Sequence, residues 1–299
     1  MSNMDISRQN SKYAHLIGVG FVLLGFFCAS CLSALGKTLL SQIPLGMVLF
    51  VQNAVAFFIY FLFSLTLKEN PLKTDRWGLH LFRAIMGLAS YVCLFLAVRY
   101  IPLVNATLLA NSSPLFLPFI IWIWFHQKIR IGLWISLLIG FSGVICIVNP
   151  IGEISSLLNS WMVLVALLGS IFSAIALQSI RYLLTTEKIT TVNLYYFGLS
   201  SLITLPWACL EWPSFAQIGW ISSLGIGIFL TLIQFFLAAA YRYASPTILG
   251  PFNYSITIFS GILGWVFWRE TPTILGGVGL LLISLGGILS MTKFAKGSL

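Results

Sequence analysis

The chain has 299 residues, of which 59% are apolar and only 8% charged, with a net charge of +9. An average soluble domain carries roughly 25% charged residues, so a water-soluble fold is excluded and the sequence reads as an all-α integral membrane protein. Its 24 Phe, 10 Trp and 10 Tyr exceed what one core needs and suit a lipid-facing surface with interfacial belts.

In chain order, residues 1–15 carry Asp5, Arg8, Lys12 and His15 ahead of the first apolar run and read as a cytoplasmic segment. No small-residue cleavage site closes a short apolar core, so the first helix is expected to stay in place. A membrane helix needs about 20 apolar residues. Uncharged stretches predict ten of them, at 16–36, 38–67, 84–98, 100–127, 131–152, 154–180, 189–210, 212–241, 243–268 and 271–292, followed by a tail at 293–299. The third is short and gains length by including 79–83, with Arg83 expected to snorkel to the headgroups.

Orientation follows from Lys and Arg in the short loops, which favour the cytoplasmic side. An inside N-terminus puts Arg8, Lys12, Lys68, Lys73, Arg76, Arg83, Lys128, Arg130, Arg181, Lys188, Arg242, Lys293 and Lys296 inside. Only Lys37, Arg99 and Arg269 remain outside. Both termini are therefore expected in the cytoplasm, and the positive charge reflects this bias rather than a nucleic-acid partner.

The segment "AVRYIP" at 97–102 returns as "AYRYAS" at 240–245. At the same offset of 143, Leu94 matches Leu237, Trp122 matches Trp265, Ile131 matches Ile274 and Gly143 matches Gly286. Shared apolar character does not account for the Arg-Tyr and Trp pairs in one register, so the halves read as a duplication, 16–152 and 153–292. Five helices per copy is an odd number, which makes the repeats inverted. Inverted repeats exchange outward-open and inward-open shapes around a midplane site, the geometry of a transporter.

The paired segments "AVRYIPLVNATLLANSSPLFLPFIIWIWFHQKI" and "AYRYASPTILGPFNYSITIFSGILGWVFWRETP" resemble the EamA family of the drug/metabolite transporter superfamily over about residues 16–292. Its pattern is an Ala-x-x-Tyr turn, small residues, a mid-helix Pro and a Gly-Glu-like turn. The first repeat departs from it with His126-Gln127, the second with Thr257 where Pro114 stands, and the acid survives only as Glu270. The resemblance implies transport of small metabolites across the bacterial inner membrane, with the third, fourth, eighth and ninth helices lining a central cavity.

Polar residues inside the spans mark the candidate path, because an unpaired polar group in hydrocarbon costs several kcal/mol. On the fourth span Asn105 and Ser112 share a face, with Asn111 near Pro114; on the ninth Asn253 and Thr257 share a face, with Tyr254 adjacent and Pro251 below. The eighth offers Thr231 and Gln234, the sixth Ser170, Ser173 and Gln178, and the third Tyr91. The substrate-binding candidates are Tyr91, Asn111, Ser112, Gln178, Gln234, Asn253, Tyr254 and Thr257; helix-helix bonding is the competing role for each.

Cys28-Ala-Ser-Cys31 has redox spacing but lies in an apolar helix without a His or Lys to activate a thiol. The sequons at Asn105 and Asn111 fall at or inside a membrane helix, and His15, His80 and His126 have no metal spacing. No cofactor and no metal are expected. Catalysis needs a positioned acid pair, metal or nucleophile with a base, and the span interiors hold no Asp, no His and no Glu away from an end. An enzyme is not expected; a structural or sensory membrane protein is the remaining rival. Glycines at 140, 143, 276, 279 and 286 form seams that pack the halves or a second copy, leaving monomer and homodimer both open.

These readings converge on an alternating-access transporter of small neutral or zwitterionic metabolites, with amino-acid export the leading activity that the resemblance implies. The alternative is uptake or exchange of a nucleoside-bearing metabolite such as S-adenosylmethionine, since the third and fourth spans are also similar to bacterial transporters of that compound. Asp5, Glu69, Asp75, Glu153, Glu187, Glu211 and Glu270 all map to termini, loops or helix ends. Transport driven by substrate gradients is therefore expected.

Overall fold

A backbone inside a bilayer has no water to bond and closes its hydrogen bonds within helices. The computed structural model describes residues 3–66, 74–113, 115–116, 120, 123, 131–148, 156–212, 219–243, 249–270 and 273–295. Among them the helices are α1 (Asn3–Leu39), α2 (Leu45–Leu65), α3 (Trp77–Tyr100), α4 (Leu103–Ala110), α5 (Ile131–Val148), α6 (Ser156–Leu183), α7 (Ile189–Leu210), α8 (Trp220–Tyr243), α9 (Ser255–Trp268) and α10 (Ile274–Ala295). A 3-10 turn, Gly250–Tyr254, precedes α9. Five of these helices, α1, α2, α3, α6 and α8, are long and apolar enough to cross a membrane. Pro114, Trp122, His126-Gln127, Glu69 and Glu153 lie outside the described residues.

Prolines set several boundaries. Pro44 and Pro102 stand immediately before α2 and α4, where a fixed φ and a missing N–H cost nothing. Ile101 is extended at φ −120°, ψ 161°, as a residue preceding proline must be, so α3 ends cleanly there.

Four expectations are corrected. Helix α1 begins at Asn3, so helical structure enters the segment expected to precede it, and it runs past Lys37 to Leu39. Helix α4 stops at Ala110, because Pro114 has no N–H to return to its carbonyl; Asn111 and Ser112 then sit in a turn and do not extend a helical face with Asn105. The expected ninth helix is not continuous: α8 runs through Tyr243, Leu249 is helical, Asn253 and Tyr254 belong to the 3-10 turn, and α9 begins at Ser255. Thr257 thus follows a change of pitch and shares no continuous α-helical face with Asn253.

The fourth correction is Arg83. It is 3% exposed, enclosed by the helix bundle and not extended to its surface. Its guanidinium lies 4.1 Å from the centre of the Tyr196 ring, and Gly87 one turn on makes room, since a Cβ there would stand 2.7 Å from Tyr196 Cε2.

The principal helix contacts map onto one another when each helix n is exchanged with n+5. The pair α1·α8 corresponds to α3·α6, α1·α9 to α4·α6 and α2·α8 to α3·α7, while α2·α7, α4·α9 and α5·α10 correspond to themselves. The glycine seam serves this last pair: a Cβ on Gly143 would lie 2.7 Å from the Gly279 carbonyl oxygen and 2.8 Å from the Ile283 amide nitrogen. Within one chain the seam joins the two halves. Leu138, Leu202, Trp265, Phe267 and Leu281 face outward, an apolar girdle fit for lipid.

Candidate functional site

Where the six helices α1, α3, α4, α6, α8 and α9 converge, a cavity of about 120 Å³ remains. Its polar wall consists of Ser33, Ser90, Tyr91, Asn111 and Ser173; Leu32, Leu94, Ile233 and Ile256 with two alanines, Ala29 and Ala110, complete it. The break after Ala110 brings Asn111 to the wall, where its Nδ2 donates 2.8 Å to the Thr107 carbonyl and its amide oxygen stays available. Ser33 donates to the Ala29 carbonyl at 3.0 Å, so its oxygen lone pairs are what it offers. No described lining residue carries a charge. The arrangement suits a small ligand with donors and a stacking face.

Of the eight candidates from the sequence, the cavity wall takes Tyr91 and Asn111. Ser112 is buried and spends its hydroxyl on the Leu108 carbonyl at 2.8 Å. Gln234 is half-buried beside Ile233, and Asn253 is half-buried in the 3-10 turn. Gln178, Tyr254 and Thr257 are buried, each with a side-chain oxygen that finds no hydrogen-bond partner among the described residues. Ser30 links two walls, donating 2.9 Å to the Ile256 carbonyl and receiving the Ser260 hydroxyl at 3.1 Å.

Two polar clusters lie at opposite ends of α3, each joining the two halves. At its C-terminal end, Lys37 of α1 pairs with Glu270, whose other oxygen accepts the Leu103 N–H at 2.7 Å and so caps α4. Arg269 makes this possible: at φ 53° it is the one non-glycine residue in the left-handed region among those described, and it turns Glu270 back so that its N–H meets the Gly264 carbonyl. Lys37 also lies 5.3 Å from the Trp268 ring centre.

At the N-terminal end of α3, Glu187 from the turn after α6 accepts the Thr74 hydroxyl and pairs with His80 Nε2. The His80 ring stacks on Tyr195 with centroids 4.5 Å apart, and Arg76 covers Tyr182. His80 and Tyr100 are 20 positions apart, about 30 Å along α3, and Tyr91 stands near the middle. The cavity therefore lies between two polar ties. Neither tie nor the burial of Arg83 was visible in sequence, because the partners are separated by 107 to 233 positions.

With this geometry in hand, the comparisons with known proteins are specific. The chain is 30% identical over 285 residues to the pseudopaline exporter CntI of Pseudomonas aeruginosa, covering 92% of this chain and 96% of that one. It is 25% identical over 234 residues to a riboflavin transporter of Vibrio cholerae, covering 77% of each. It is 24% identical over 267 residues to an S-adenosylmethionine uptake transporter of Rickettsia conorii, covering 86% of each. One crystal structure superposes with a TM-score of 0.63 at 18% identity over 96% of this chain and 99% of the other, a likeness of fold alone. Residues 16–149 and 160–292 each match the EamA-like transporter family, so the chain is a two-repeat member of that family.

Proposed function

We propose that the protein exports a small zwitterionic metabolite across the bacterial inner membrane by alternating access. The observation that carries this reading is the hydroxyl- and amide-lined cavity at the junction of six helices from both halves. The relative named as a pseudopaline exporter, which the chain matches nearly end to end, favours pseudopaline or a related compound as cargo. In this reading ten helices span the bilayer as two inverted five-helix repeats with both termini in the cytoplasm. The Lys37–Glu270 tie closes the outer end and the His80–Glu187 tie the inner end, and they open in alternation. Tyr91, Asn111, Ser112, Gln178, Gln234, Asn253, Tyr254 and Thr257 belong to the path, in contact with substrate in one state or another.

The described carboxylates nearest the path, Glu187 and Glu270, are both engaged at the ends. This supports movement down substrate gradients, by facilitated diffusion or exchange. The second reading, uptake or exchange of S-adenosylmethionine, draws on the relative of that name and on Tyr91 as a stacking face. The test is a proteoliposome assay in which pseudopaline, S-adenosylmethionine, riboflavin and free amino acids are loaded inside and followed outward and inward. Release of pseudopaline or an amino acid without an imposed pH gradient is expected. Movement of S-adenosylmethionine alone selects the second reading, and no movement of any compound overturns both.

A further inference from the structure

Arg83 is a buried cation that the transport reading leaves unused. It is 3% exposed, its Nε finds no hydrogen-bond partner, and no carboxylate pairs with it among the described residues. An ionisable side chain inside a membrane bundle is costly to keep, and it is kept where charge has work to do. The Tyr196 face at 4.1 Å offsets part of that cost but supplies no acceptor for the guanidinium hydrogens.

Its position links it to the cavity. Arg83, Gly87 and Tyr91 follow one another at i+4 spacing on α3, so they form a stripe that drifts slowly around the helix. Tyr91 lines the cavity, two turns along α3 from Arg83. Helix α6 runs antiparallel beside α3: Gly169 meets Cys93, and Tyr182 meets Arg76. That register puts Gln178 at the level of Arg83. The Gln178 Oε1 is buried and likewise has no hydrogen-bond partner among the described residues. A cationic donor with an unpaired Nε and a neutral acceptor thus occupy one level of the bundle, Arg83 against Tyr196 of α7 and Gln178 on α6, about 12 Å from the Tyr91 level along α3.

We infer that Arg83 is a substrate-recognition residue that binds the carboxylate of a zwitterionic metabolite, while Gln178 Oε1 accepts a hydrogen from its ammonium group. The inference rests on the transport reading and narrows it to substrates with a free carboxylate. The Tyr91 cavity and the Arg83 level are successive positions on one route. A guanidinium selects carboxylate by paired N–H donors, a geometry that an amide or ester of the same compound cannot reproduce.

The test uses the full-length protein in nanodiscs. Probes are L-methionine, L-histidine and S-adenosylmethionine, the two amino acids also as their amides, with riboflavin as a carboxylate-free compound. Binding is read from thermal shift and dissociation constant up to millimolar concentration. We expect at least one carboxylate probe to bind and Arg83→Gln to weaken it by about tenfold or more. Amidation of a bound amino acid should weaken it to the same degree, and Arg83→Lys should restore part of the loss. Ligand-free Arg83→Gln should unfold at or above the wild-type temperature, because an unpaired buried charge has been removed.

Unchanged affinity in Arg83→Gln, binding of riboflavin alone, or no carboxylate binding at all overturns the inference. So does a ligand-free Arg83→Gln that melts well below wild type while Arg83→Lys does not, since Arg83 then holds the fold. Proteoliposomes separate this from the transport reading: transport of a compound without a carboxylate keeps transport and removes the role of Arg83. Carboxylate binding without transport of any probe does the reverse.

Discussion

Removing the charge of Glu270 tests the tie between Lys37, Glu270 and the first turn of α4. The two side chains keep 14% and 17% of their exposure, so the pair is largely withdrawn from water without being sealed in the interior. Two unit charges at 4 Å attract by about 4 kcal/mol at an effective dielectric constant of 20. Desolvation returns much of this, leaving a coupling of about 1–3 kcal/mol. Glu270→Gln loses that coupling but keeps an oxygen for the Leu103 N–H, whereas Glu270→Ala also loses the cap, worth about 1 kcal/mol more. At about 2–4 °C per kcal/mol, Glu270→Gln should lower the midpoint of thermal unfolding by roughly 2–12 °C and Glu270→Ala by a few degrees beyond that. The assay is thermal unfolding of wild type, Lys37→Met, Glu270→Gln and the double variant, with Glu270→Ala alongside. A coupling near zero in this cycle, or Glu270→Ala melting no lower than Glu270→Gln, would refute the reasoning.

Gly143→Ala should cost about 1–3 kcal/mol, because the new methyl meets backbone atoms of α10 that no rotamer change can move; Gly78→Ala, with nothing within 4 Å, is the control and should be neutral or better in the same unfolding measurement. Arg269→Asn should raise the unfolding midpoint by a few degrees, since Asn adopts the left-handed region at lower cost than Arg, and a fall would locate an additional role in the arginine side chain. Reporter fusions after Leu299 should be active only as cytoplasmic reporters, and periplasmic activity would invert the topology. Single cysteines at 91, 111, 234, 253 and 254 in a cysteine-free background should react with a water-soluble thiol reagent, and those at 91 and 111 should be slowed by bound substrate. Resistance at all five in a transport-competent protein would move the path elsewhere.

How much of this was legible in the chain differs from element to element. The apolar runs and the 143-residue register gave away the helices and the duplication, because both are local or repeat properties that survive without tertiary knowledge. The ends of α4 and the start of α9 were misjudged for a physical reason. Uncharged sequence marks membrane depth, but Pro114 withholds an N–H from the Ala110 carbonyl, and a 3-10 turn with Pro251 near its start precedes α9, so regular α-helix is interrupted inside the apolar run. Tyr91 and Asn111 were recoverable as polar residues in spans flanked by small ones. Arg83 was not, since snorkelling and burial begin from the same position near a helix end. What separates them is Gly87 and the Tyr196 ring that fills its space, a contact across more than 100 positions. The Glu187 and Glu270 ties were hidden likewise: each acid looked like an ordinary loop residue until the fold brought His80 or Lys37 to it.

The self-mapping of the helix pairs has a consequence for how the protein is made. Its major packing partners are drawn from opposite halves: α1 rests on α8 and α9, α2 on α7 and α8, α3 on α6 and α7, α4 on α9 and α6, and α5 on α10. When the ribosome has finished α5, none of those partners exists yet. Ser30, Lys37, His80 and Arg83 then sit on inserted helices with their polar groups uncovered, waiting for Ile256, Glu270, Glu187 and Tyr196. Membrane insertion and compaction are consequently separate events in time, and an N-terminal half made alone should be a substrate for membrane quality control rather than a stable domain. Supplied together as two polypeptides cut between 148 and 156, the halves should rescue each other, each completing the surface that the other was born without.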